Sequence, residues 1–308
     1  MRSIKLLRSI HFVLVAAVCP FLLLAIIGCD DSPTRSVIVR PDCWKPLVNE
    51  DEVAGFAEGA PAWSHDGLKV AYASEYDTCN DFNPIIIITD RFGLTKRAIN
   101  IVGAHMRWLP GDTELVISAG RFGGPLVIYN LNTDEITPLG ISTRFPPFDV
   151  SADGKRIYFE GDRPGQFPSF AIFEYDIVTN TVTELVIGGY PEVSPDGTML
   201  AFTNGELIVH NIESGINQTI IAGGGFSSWL PSGDELVYEK GGKIWITDLN
   251  GNTQFLIGQP GAKGAGGPID VSPDGRTILF LNYTEADDFY HIWRMNIDGS
   301  QARRLLAF

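Results

Sequence analysis

Short runs of β-branched, aromatic and other apolar residues recur along the chain, each cut off by Gly, Asn, Asp or Ser. Val70-Ala71-Tyr72, Leu115-Val116-Ile117, Ile157-Tyr158-Phe159, Met199-Leu200-Ala201-Phe202, Leu236-Val237-Tyr238 and Ile278-Leu279-Phe280 form one series. A second apolar run follows each of these, at 85–88, 126–129, 171–175, 207–209, 244–246 and 292–295. It usually closes in Asp or Asn and a turn, as in Asp248-Leu249-Asn250-Gly251, and a weaker run such as 181–187 or 301–306 comes after it. Runs of this length and composition between turn formers are strand signals. Beyond the first 28 residues no long stretch places apolar residues at i, i+3, i+4 and i+7, so almost no helix is expected.

The turns ahead of the first series are copies of one another. Val150-Ser151-Ala152-Asp153-Gly154, Val193-Ser194-Pro195-Asp196-Gly197, Val271-Ser272-Pro273-Asp274-Gly275 and Trp63-Ser64-His65-Asp66-Gly67 are plain, whereas Trp108-Leu109-Pro110-Gly111-Asp112 and Trp229-Leu230-Pro231-Ser232-Gly233-Asp234 are worn. Ser, Pro, Asp and Gly in that order suit a type I turn, with Pro presetting φ at its second position. The anchors Trp63, Trp108, Val150, Val193, Trp229 and Val271 lie 45, 42, 43, 36 and 42 positions apart. That period belongs to four-stranded propeller blades. The expected fold is all-β, a six-bladed β-propeller of four-stranded antiparallel blades A–B–C–D with this turn between A and B; closing the ring covers most sheet edges.

The units resemble the TolB-type propeller repeat, a Pro-x-Trp-Ser-Pro-Asp-Gly stretch followed by a short strand. Pro61-Ala62-Trp63-Ser64-His65-Asp66-Gly67 with Val70-Ala71-Tyr72 carries the likeness, as does Pro191-Glu192-Val193-Ser194-Pro195-Asp196-Gly197. It covers about residues 55–308, which makes 55–308 the propeller domain and leaves no room for the extra N-terminal α/β domain of TolB or for an appended peptidase. The resemblance implies a fold that serves as scaffold, as enzyme cap and occasionally as lyase; fold alone does not choose among them.

The front of the chain supplies an address. Arg2, Lys5 and Arg8 precede an apolar run from Phe12 to Ile27, the layout of a signal peptide over residues 1–28. Ile26-Ile27-Gly28-Cys29 resembles a bacterial lipobox, which implies cleavage before Cys29 and lipidation there, with an ordinary cleaved signal or an uncleaved anchor as alternatives. Residues 29–54 then form a lipidated tether and N-terminal segment, and the protein is expected outside the cytoplasm, anchored by lipid to the cell membrane. Of the four cysteines, Cys43 and Cys79 are left to pair as a disulfide or remain as thiols. The formal net charge is −14, and losing the three bases of the leader makes it more negative still. That balance disfavours nucleic acid and anionic surfaces. A monomer is expected.

Topology sorts the candidate residues. A–B and C–D turns share one face; B–C and D–A loops share the other, around the channel mouth. The longest B–C loops, at 75–84, 161–167 and 283–290, bring Tyr76, Phe82, Arg163, Phe167, Tyr283, Phe289 and Tyr290 to a rim of the residue types that dominate binding hot spots. At the axis, the positions before the anchors are Ala62, Arg107, Asp149, Glu192, Ser228 and Asp270, with His105 close by. Three acids there could hold a hard cation such as Ca²⁺. The favoured reading is instead a solvated channel in which Arg107 compensates the acids, with no cofactor and no metal. Gly-x-Ser-x-Gly, His-Glu-x-x-His and Walker A patterns do not occur. The expected function is a non-catalytic protein-binding scaffold at the cell envelope, with an envelope protein or peptide as partner. The alternative is a polysaccharide lyase or hydrolase working at the channel mouth.

Overall fold

The computed structural model describes residues 58–78, 81–120, 122–256, 262–284 and 290–305. Its strands fall into six sheets, each taken from one consecutive stretch of chain. Blade 1 is β1 (Glu58–Trp63), β2 (Lys69–Thr78), β3 (Asp81–Asp90) and β4 (Lys96–Val102). Blade 2 is β5 (His105–Trp108), β6 (Glu114–Ser118), β7 (Gly124–Asn130) and β8 (Ile136–Thr143). Blade 3 is β9 (Asp149–Val150), β10 (Arg156–Asp162), β11 (Phe170–Asp176) and β12 (Thr181–Val186). Blade 4 is β13 (Gly189–Val193), β14 (Met199–Thr203), β15 (Glu206–Asn211) and β16 (Asn217–Ala222). Blade 5 is β17 (Ser227–Trp229), β18 (Glu235–Lys240), β19 (Lys243–Asp248) and β20 (Thr253–Phe255). Blade 6 has its inner strand in two pieces, β21 (Ala262–Ala265) and β22 (Asp270–Val271), both paired with β23 (Thr277–Thr284), then β24 (Tyr290–Asn296) and β25 (Arg303–Arg304).

Neighbouring strands within a blade pair antiparallel, and the inner strands β1, β5, β9, β13, β17 and β22 touch one another in a closed cycle. The chain is thus a six-bladed propeller with no helix among the described residues. No described strand is shared between blades 1 and 6; among the described residues, side-chain packing and polar contacts cross that seam. Six apolar cores lie between consecutive blades. One joins Trp63, Val70 and Tyr72 of blade 1 to Leu279, Leu281 and Ile292 of blade 6, across the seam. Both faces of the second strand of a blade are covered, which is why these strands read as unbroken apolar runs: Val70 to Ala73 of β2 are all buried. Outer strands lose this cover; Thr181 to Glu184 of β12 are exposed.

The repeated turn works in two directions. Within a blade, Ser64, Ser151, Ser194 and Ser272 each donate Oγ to the Asp two residues on, while accepting the N–H five residues on. Between blades, the Pro of one turn nests on the residue closing the next. A Cβ added at Gly154, Gly233, Gly275 or Gly67 would meet Pro110, Pro195, Pro231 or Pro273 at 2.7, 4.0, 3.4 and 3.7 Å. Where His65 replaces Pro, the next turn closes on Asp112 in the left-handed region (φ +53), whose carboxylate accepts from His65 N–H and pairs with His65 Nδ1. Where Ala152 replaces Pro, Gly197 faces open space. The worn copy at 108–112 is therefore a matched exchange between neighbouring turns.

Three loops expected from the sequence are shorter than expected. β2 and β3 stay paired as far as Thr78 and Asp81, β10 reaches Asp162, and Tyr283 pairs with Tyr290. Each hairpin arm keeps its ladder because a backbone N–H or C=O left unpaired costs more than the loop's freedom returns.

Candidate functional site

Each inner strand points the residue before its anchor at the axis, which brings Arg107, Asp149, Glu192, Ser228 and Asp270 into one ring. Arg107 Nε donates to Asp149 Oδ1 at 3.0 Å and Nη2 to Glu192 Oε2 at 3.2 Å. The other oxygens tie blade to blade. Asp149 Oδ2 accepts Val193 N–H at 2.8 Å, Asp270 Oδ2 accepts Trp63 N–H at 2.5 Å, and Ser228 Oγ accepts Val271 N–H at 3.2 Å. Indole groups add a second stitch: Trp108 Nε1 donates to the Ala62 carbonyl and Trp229 Nε1 to the Glu192 carbonyl.

The ring is buried. The side chains of Arg107, Asp149 and Glu192 are only 10–12% exposed, so the expected solvated channel is corrected to a packed polar girdle. Burial pushes the carboxyl of Glu192 well above its ordinary range, raises Asp149, and lifts Asp270 to about 6. Burial opposes the Arg107 charge, and Glu192, Asp149 and Asp270 together overcome it and hold that guanidinium protonated. His105 is fully buried at the junction of blades 2 and 3, its Nε2 2.9 Å from the Phe148 carbonyl and its ring edge-on to Phe148. Burial holds it neutral, so Nε2 carries the proton and donates. Arg107 stands between the acids, and no three His, Cys, Asp or Glu converge on a metal position among the described residues.

The loop face holds most of the exposed aromatics. Phe167 is 97% exposed at the tip of the blade 3 hairpin. Arg163, also placed on the rim by the sequence, is part of its support: Nη1 donates to the Pro168 carbonyl and Nε lies 3.0 Å from Glu184. Tyr283 and Tyr290 meet edge to face at 5.2 Å, with Tyr290 partly exposed. Phe122, Phe145 and Tyr190 are exposed on the same face and were not singled out by the sequence: Phe122 and Phe145 sit in ordinary B–C and D–A connections, and Tyr190 near the start of β13. Arg144 lies over both Phe145 and Phe170 and pairs with Asp162. The backbone places Tyr76 opposite Asn83 and Phe82 opposite Asp77 in the blade 1 hairpin. Phe289, Cys29, Cys43 and Cys79 lie outside the described residues.

These ionisations fix a pH profile. Asp270 titrates at about 6 and the buried Glu160, at about 7, is raised by burial against the opposing pull of Arg144. The native state therefore holds their protons more tightly than the unfolded chain, and stability falls as pH rises from about 4 to 7. The turn acids Asp153, Asp196 and Asp274, lowered by their Ser hydrogen bonds, act oppositely and lose their contribution below about pH 4. Thermal melts should peak at about pH 4, and Glu160→Gln should flatten the neutral limb. A midpoint that climbs steadily from pH 5 to 8 would contradict this.

No family model matches the chain, and no curated protein matches its sequence. Solved propellers do match. TolB from Acinetobacter baumannii aligns at 22% identity over 64% of this chain, TM-score 0.53; the chain spans about half of that protein, 53% of its length. An oligogalacturonate lyase in complex with manganese aligns at 14% identity over 81% of this chain and 78% of its own, TM-score 0.54. The β-propeller domain of the Trilobed protease from Pyrococcus furiosus, described as having an open velcro topology, aligns at 11% identity over 83% of this chain and 97% of its own, TM-score 0.56. By fold, the chain is a TolB-like six-bladed β-propeller.

Proposed function

We propose that the protein is an exported, lipid-anchored scaffold that binds a protein or peptide of the cell envelope through its loop face, without covalent chemistry. The observation that carries this reading is the gathering of Phe122, Phe145, Phe167, Tyr190 and Tyr290, all exposed, on one face of a rigid ring. Aromatic side chains bring large contact area at little entropic cost and dominate interface energetics. The axial groups a polysaccharide-cleaving site would need are engaged otherwise: Arg107 with two acids, Asp149 and Asp270 with backbone N–H groups. In the same reading residues 1–28 are the leader, Cys29 carries the lipid, 29–54 is the tether, and Cys43 pairs with Cys79. Tethering raises the local concentration of the face, so modest affinity suffices.

In-cell crosslinking followed by mass spectrometry tests the reading. One envelope protein should be enriched by the native chain and lost with Cys29→Ser. Phe145→Ser/Phe167→Ser/Tyr190→Ser should reduce that capture by about ten-fold or more, with the melting midpoint held within about 2 °C. Val178→Ser/Ile216→Ser, on the turn face, should leave it unchanged. Full capture by the rim triple variant would sink the assignment.

A further inference from the structure

The seam between blades 6 and 1 differs from the other junctions. Trp108 and Trp229 each reach a carbonyl of the preceding blade, but the buried Nε1–H of Trp63, itself 7% exposed, has no acceptor among the described residues. Trp63 lines a cleft of about 240 Å³ on the turn face, together with Asp66, Arg91, Ser272, Pro273 and Asp274. The Arg91 Nε is also buried without an acceptor.

Three arginines converge beside that cleft. Arg294 and Arg303 stand directly opposite each other on β24 and β25, an arrangement that is destabilising for like charges. Arg294 Nη1 donates to the Arg91 carbonyl, and burial together with the charges of Arg303 and Arg91 holds its pKa below the ordinary value. Arg97, Arg107, Arg144, Arg156 and Arg163 each have a carboxylate within ion-pair distance. Among the described residues, Arg91, Arg276, Arg294 and Arg303 have none, in a chain whose net charge is −14, and of these Arg91, Arg294 and Arg303 lie together. Phe92 sits between the Arg91 and Arg294 guanidiniums, at 5.3 and 5.8 Å, and is 52% exposed. Leu68 and Leu94 are exposed next to it, with the Leu68 carbonyl accepting from Arg91 N–H.

We propose that this seam binds an acidic peptide segment, with a carboxylate on Arg91, Arg294 and Arg303 and a neighbouring apolar side chain on Phe92, Leu68 and Leu94. Guanidinium forks match carboxylates, and the Trp63 indole supplies a further donor. Asp66 and Asp274 select the ligand class. Both line the cleft, and their Oδ1 atoms serve their own turns. They repel a compact polyanion such as phosphate but suit a peptide, which offers N–H donors alongside its carboxylate. The site is on the opposite face from the proposed aromatic rim and does not rest on that reading.

The test is selection of a display library of random heptapeptides on the full chain in detergent, counter-selected against Arg91→Gln/Arg294→Gln. Enriched sequences should carry Asp or Glu beside Phe, Leu or another large apolar residue. Synthetic versions should weaken by about ten-fold or more when the acid becomes its amide. Trp63→Phe, which keeps the ring and removes the N–H, should weaken them as well, and inorganic phosphate should not compete. Melting curves of both variants within a few degrees of the native chain establish that the fold is intact. Enrichment that is equal on the native and doubly substituted chains, indifference to the acid-to-amide change, or displacement by phosphate would each overturn the proposal.

Discussion

Arg107→Met should destabilise the protein by about 3–5 kcal/mol, since it leaves two carboxylates buried without their countercharge. Asp149 and Glu192 each receive one guanidinium hydrogen bond, and both are nearly enclosed. Their deprotonated forms would then face each other across the axis with Asp270 nearby. Adding Asp149→Asn and Glu192→Gln should restore most of the loss, because Asn still offers an oxygen to the Val193 N–H. Acid should restore part of it too, by protonating the carboxylates. Denaturant melts at pH 4 and 7 on the single and triple variants decide the matter. A single variant as stable as the native chain, or a triple variant no better than the single, would show that the girdle is not held by this charge balance.

Gly154→Ala is the second large effect, and the fold contains its own control. Gly154 has φ +71, where alanine costs roughly 1–2 kcal/mol, and its new Cβ would lie 2.7 Å from Pro110 Cδ. Overpacking of that kind adds about 1–3 kcal/mol. Gly197 has φ +73 and open space, because Ala152 stands where the other turns have Pro. Gly197→Ala should therefore show the backbone cost alone. Combining Gly154→Ala with Pro110→Ala should relieve the steric part and leave the two glycine sites alike. Equal losses at Gly154 and Gly197 in the single variants would mean that the turns do not lock against one another.

Much of this architecture could be read from the chain because propeller blades are local. Ser-Pro-Asp-Gly closes its own turn, and Asp176 or Asn130 caps the N–H groups of the turn it begins. The buried second strands of the blades show as apolar runs because both their faces are covered. Contacts between blades were not legible in the same way. His65 and Asp112, or Asp149 and Val193, are more than forty positions apart, and their side chains suit many other roles. The axial residues were found by position in the repeat, but their burial was not, since a polar residue at an axis reads as wetted until the packing is seen. Arg294 and Arg303 pair within blade 6, and Arg91 meets them only because the first and last blades close on each other. No spacing rule connects them.

That closure also bears on how the chain could be rewired. Every blade owns all its described strands, so a cut between Val186 and Gly189 would fall in a connection and sever no ladder. Circular permutation there, with the original ends linked, should return the same ring. The old seam would become an ordinary covalent junction, and its tolerance of sequence change should then match that of the four others that the chain still crosses.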